Sequence, residues 1–133
     1  MPGVVADTHT IVWYLSQDSR LSSAAHEALT MATRGGDLIH IPSICLVELT
    51  YLDEKGRLPS AAREALIEAL DDPAGPCTLV PLDRLVAEAL QLLKRIEVPD
   101  LPDRIIAATA LALQVPLISR DRKIRSSQVQ AIW

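Results

Sequence analysis

A chain of 133 residues is expected to form one domain, spanning 1–133, with a sizeable core. Hydrophobic residues at 49% and charged residues at 23% exclude a disordered chain, and no apolar run approaches the ~18 residues of a membrane span. A formal net charge of −4 argues against tight non-specific DNA binding, and the lack of any Phe argues against platforms on which bases stack.

In chain order, Val4-Val5-Ala6 reads as a short buried strand ending at Asp7, followed by a turn and a helix that carries Ile11, Val12, Trp13, Tyr14 and Leu15. A second helix is predicted over about 22–34, stopped by Gly35-Gly36. Leu38-Ile39-His40-Ile41 is a strand closed by Pro42, and Ser43 is expected to cap a third helix that runs to about Lys55. A fourth helix begins near Ser60. After a Pro- and Gly-rich turn, Cys77-Thr78-Leu79-Val80 forms a third strand. Asp83 then caps a helix whose apolar stripe is Leu85, Val86, Ala89, Leu90 and Leu93. Residues 96–102 read as a loop, 103–113 as the most buried helix, 115–119 as a fourth strand and 129–133 as a fifth. Strands alternating with helices predict an α/β fold with a mostly parallel sheet.

The opening residues, Met1-Pro2-Gly3-Val4-Val5-Ala6-Asp7, lack the basic start and apolar stretch of a signal peptide, so a cytoplasmic protein is expected. Cys45 and Cys77 have no partners at zinc spacing and read as buried free thiols. His9, His26 and His40 likewise show no ligand spacing and read as surface or packing residues. There is no Gly-rich phosphate loop, nucleophile elbow or zinc helix.

The informative residues are acids. Parallel α/β sheets bind ligands at the carboxyl ends of their strands. Asp7 follows the first predicted strand and Asp121 the fourth, while Asp103 opens a buried helix whose start can face the same edge. Taken singly, each could be a helix cap; the case for function is their joint placement. Glu48 points the same way for a different reason. Its neighbours one turn away are Ile44, Cys45, Tyr51 and Leu52, so it sits in an apolar stripe, where an unpaired carboxylate costs several kcal/mol. Either a buried Arg such as Arg104 or a shared cation must compensate it. Carboxylate oxygens without His or Cys suit Mg²⁺ or Mn²⁺. Of 17 acidic and 13 basic residues, setting four acids aside leaves 13 against 13, so the acidity is consistent with a clustered metal site.

These segments resemble the PIN domain and, within it, the VapC-type toxins of toxin–antitoxin pairs. Val5-Ala6-Asp7-Thr8-His9-Thr10-Ile11-Val12-Trp13 is similar to the family's first motif, and Pro42-Ser43-Ile44-Cys45-Leu46-Val47-Glu48-Leu49 to its second. Residues 100–110 resemble the third motif, Leu117-Ile118-Ser119-Arg120-Asp121 the fourth, and 129–133 the closing edge strand. Ser119 stands where the family often has Thr, which keeps a hydroxyl. Asp100-Leu101-Pro102-Asp103 shifts a proline relative to the family's usual Asp-Pro-x-Asp.

The resemblance implies a three-layer α/β/α domain with about five strands. It implies a metal-dependent endoribonuclease that hydrolyses RNA phosphodiester bonds. Asp7, Asp103 and Asp121 would be metal ligands, with Glu48 orienting an activated water, and Thr8 and Ser119 would support them. A homodimer and a protein antitoxin that blocks the site are also implied. Two alternatives stay open at this level: an RNA-processing nuclease of the same fold with no antitoxin, and a non-catalytic α/β binding or signalling domain. A receiver-like domain fits less well, because it calls for a paired acid after the first strand and a Lys after the last. Here Asp7 stands alone and the late position is Ser119-Arg120-Asp121.

Overall fold

The structure, a computed structural model, describes residues 3–125 and 127–133. Its strands are β1 (Val4–Ala6), β2 (Ile39–Pro42), β3 (Cys77–Val80), β4 (Leu117–Ile118) and β5 (Ala131–Ile132). They form one sheet in the order β3-β2-β1-β4-β5, and every pairing is parallel. The register places Val5 opposite His40 on one side and Leu117 on the other. Successive strand residues face opposite sides of a sheet. All of β1, β2 and β4 is buried, so helices cover both faces and the domain has three layers. The edge strands β3 and β5 are less buried.

The helices are α1 (Thr8–Leu15), α2 (Ser23–Arg34), α3 (Ser43–Glu54), α4 (Ser60–Asp71), α5 (Arg84–Ala89), α6 (Leu101–Leu113) and α7 (Arg122–Arg125). Contacts of α2 with β1, β2 and β5, of α6 with β1 and β2, and of α4 with β3 close the layers. The core is aliphatic: Val5, Ile11, Leu29, Ile39, Ile41, Leu66, Ile106, Leu117 and Ile118 are fully buried. Cys45 and Cys77 are buried free thiols, as expected, and burial pushes both above the usual thiol range. Gly3 has a φ of +109°, and a Cβ there would stand 2.2 Å from the Leu38 carbonyl oxygen, so only glycine lets β1 start alongside β2.

Four local expectations are corrected. Ser43 is the first residue of α3 rather than its cap; Pro42 holds the cap position, and the Ser43 hydroxyl accepts from Leu82 N–H instead. The helix after Asp83 stops at Ala89 and tightens into a 3-10 turn at Leu90–Leu92; Val86, Ala89 and Leu93 of the expected stripe are buried, but Leu85 is exposed. α6 begins at Leu101 rather than Asp103, because Asp100 caps it through Asp103 N–H and a proline is tolerated in a first helical turn. The short α7 was not foreseen.

Candidate active site

The chain leaves β1 toward β2 and β3 in one direction and reaches β4 and β5 on the other side, so the sheet order reverses at β1. In such sheets the crevice beyond the strand ends opens at this point. Asp7 stands there, directly after β1. Its backbone N–H donates to Ile118 O at the end of β4 (3.3 Å), and Thr10 Oγ1 donates to the same carbonyl at 2.9 Å. Asp121 follows β4 on a short segment that leads into α7.

A cleft of about 250 Å³ lies at this edge, lined by Asp7, Glu48, Asp103 and Asp121 together with Thr8, His9, Thr10, Trp13, Ile106 and Arg120. The four acids proposed from sequence come from four separate stretches of chain and meet in one place. Each is half-buried. Ser119 is fully buried behind them.

Each acid has a local reason for its pose. Asp7 caps α1, with Oδ1 accepting from Thr10 N–H at 3.0 Å. Asp121 Oδ1 accepts from Lys123 N–H (2.8 Å) and Ile124 N–H (3.2 Å), and its own N–H donates to Ser119 Oγ at 3.1 Å. Capping and convergence are therefore not rivals for these two residues: the cap fixes one oxygen and turns the carboxylate toward the cleft. Glu48 is held by Thr8, whose Oγ1 donates to Oε1 at 2.7 Å. Arg104, the alternative partner for Glu48, is committed elsewhere; its Nη2 donates to Leu90 O and Leu93 O at 3.0 and 3.3 Å. Asp103 has no capping role, since Asp100 has taken it.

The electrostatics follow from crowding. Burial pushes Asp103 up to about 7, helped by the charges of Asp100, Asp121 and Glu48 and by a hydrogen bond to Asp121. Burial also raises Glu48; Asp100 and Asp7 add to this, while the Thr8 hydrogen bond and His9 oppose it. Protein donors and cations thus leave part of the negative charge uncompensated. As they stand, no group of three His, Cys, Asp or Glu side chains among the described residues is gathered tightly enough to hold a metal ion. The donor set is all oxygen and under charge strain, which fits a hard divalent cation.

Two lining residues were missed from sequence. His9, read as a surface or packing residue, is exposed but lines the cleft, with its ring 5.6 Å from that of Trp13. Arg120 lines it as well. Each lies within two positions of a site acid, and that adjacency was the available signal.

The PIN domain family model matches residues 4–128. The chain belongs to the PIN domain family. That sets aside the receiver-like alternative. Ribonuclease VapC22 of Mycobacterium tuberculosis is 30% identical over 126 residues, which cover 95% of this chain and 92% of that protein. Among solved structures, this PIN domain is similar to VapBC2 from Rickettsia felis bound to a promoter DNA fragment, with a TM-score of 0.70, 18% identity and 96% of each chain covered. It is also similar to a toxin–antitoxin complex from Klebsiella pneumoniae, with a TM-score of 0.65, 22% identity, and 98% and 97% covered. The structural likenesses establish the PIN fold. PIN domain nucleases generally use divalent metal ions. No helix among the described residues is long and apolar enough to cross a membrane.

Proposed function

We propose that this PIN domain is a metal-dependent endoribonuclease that hydrolyses RNA phosphodiester bonds, and that it is the toxin of a VapBC-type pair. The observation that carries the reading is the meeting of Asp7, Glu48, Asp103 and Asp121 in one cleft at the point where the sheet order reverses. The likeness to a VapC ribonuclease over nearly the whole chain supports RNA as the substrate.

Asp7, Asp103, Asp121 and Glu48 would hold Mg²⁺ or Mn²⁺. A bound divalent cation supplies charge neutralisation at phosphorus and acidifies water. The protein's own part is positioning. Thr8 fixes one oxygen of Glu48, and the other would orient the attacking water. Ser119 fixes the backbone before Asp121. Ile106 closes the apolar side of the cleft. The antitoxin reading is supported by the VapBC and toxin–antitoxin structures that share the fold. Ile44, Val47, Tyr51, Leu52 and Pro102 form an apolar hollow that Glu48 also lines, consistent with a protein partner close to the site. A homodimer and a cytoplasmic location complete the proposal and rest on the family resemblance.

Mapping new RNA 5′ ends after induced expression tests the reading, alongside cleavage of the mapped RNA by purified protein with Mg²⁺ and with EDTA. Discrete cleavage sites reproduced only with divalent metal are expected. Absence of cleavage, or full cleavage in EDTA, would contradict it.

A further inference from the structure

The cleft has an anionic floor, yet the proposed substrate is a polyanion. Among the residues lining it, Arg120 is the one permanently cationic side chain. It is exposed and adjacent to Asp121 in sequence, but forms no ion pair among the described residues, whose pairs are Arg20–Asp18 and Arg84–Glu88. Its guanidinium carbon lies 4.8 Å from the centre of the Trp13 ring. A ring face attracts the cation without using its N–H groups, so the planar fork stays available to other acceptors.

Trp13 is well placed for this. Its indole is 3% exposed, and the rings of Trp133 and His9 stand 5.9 and 5.6 Å from it. A second guanidinium, that of Arg20, lies 5.0 Å from the same ring but is already committed to Asp18 through bonds of 2.8 and 3.0 Å. One platform therefore carries two guanidinium groups, one neutralised and one with its donors unspent, and the second opens onto the carboxylate cleft.

We propose that Arg120 binds a backbone phosphate of the RNA entering this cleft, and that Trp13 is the positioning residue that holds the guanidinium there. The inference rests on the ribonuclease reading. A guanidinium fork matches two phosphate oxygens, and one cation at the rim offsets repulsion between the substrate and the acids below. The contact forms on binding and persists through the reaction, so its loss raises KM more than it lowers kcat.

The test is steady-state cleavage of a defined single-stranded RNA at several salt concentrations by wild type, Arg120→Ala, Arg120→Lys and Trp13→Leu. Arg84→Ala, which removes an exposed positive charge on α5, is the control. Arg120→Ala is expected to raise KM about tenfold with little change in kcat, and to flatten the dependence of log KM on log salt by about 0.7. Arg120→Lys should keep the salt dependence and recover part of the affinity. Trp13→Leu should raise KM with the salt dependence intact, because the charge remains. Arg84→Ala should behave as wild type. If wild type cleaves and Arg120→Ala shows the wild-type KM and salt dependence, this proposal falls and the nuclease reading stands. If wild type cleaves no RNA, both fall.

Discussion

Asp103 carries its negative charge in surroundings that oppose it. The raised value of about 7, against about 4 for a free Asp, means that the folded protein keeps a proton the unfolded chain has already released. The contribution to stability is therefore full below the unfolded value and is lost as pH rises through 4 toward 7. Glu48 is shifted in the same direction and adds the same sign. Metal-free protein is thus expected to lose stability between pH 5 and pH 8, and Asp103→Asn should lose less. Urea unfolding in EDTA at both pH values checks this; an equal loss in the two proteins would contradict it. Thr8→Val tests the positioning of Glu48. Removing the 2.7 Å bond leaves that carboxylate without its donor, and a fall in cleavage of about 10–100-fold is expected, the range seen when groups supporting a metal ligand are lost. A cleavage rate unchanged in Thr8→Val would show that Glu48 needs no such orientation.

At the level of elements, α6 delivers Asp103 to the cleft, and Asp100 sets where α6 begins. Asp100→Ala removes that cap and is expected to cost about 1 kcal/mol in equilibrium unfolding. A change near zero would mean that packing alone fixes the helix start. Two prolines suggested a loop, yet Pro102 lies in the first turn, where it breaks no helical hydrogen bond. β1 and β2 were legible from their apolar runs; β1 ends before Asp7 as read, whereas β2 runs from Ile39 through Pro42, which pairs with Val80 instead of closing the strand. Leu85 was counted in the apolar stripe because spacing alone does not reveal that it faces solvent. α7 was invisible: Arg122-Lys123-Ile124-Arg125 spans barely one helical turn and has one buried residue, too little for periodicity to register. Asp7 and Asp121 were readable from where strands end, Asp103 from a buried helix start, and Glu48 from its place in an apolar stripe. His9 and Arg120 were not, because their place in the cleft depends on Trp13 and the neighbouring segments coming together in three dimensions.

For the whole molecule, the cleft couples folding to metal. A cation that binds the folded carboxylates and not the unfolded chain adds about 2.7 kcal/mol of stability at a hundredfold excess over its dissociation constant. Mg²⁺ is therefore expected to raise the melting temperature at pH 8 and to do so far less near pH 4, where Asp103 and Glu48 hold protons. Equal shifts at both pH values would place the ion elsewhere. The central claim is that these four acids are the catalytic site, and the rate of RNA cleavage by Asp7→Asn in saturating Mg²⁺ tests it most directly. Asn caps a helix as well as Asp does, so α1 and the fold should survive while the charge is lost. The account predicts a folded protein that, without metal, melts no lower than wild type because one repelling charge is gone, and a fall in cleavage of about 100-fold or more. Wild-type cleavage by a folded Asp7→Asn protein would contradict it.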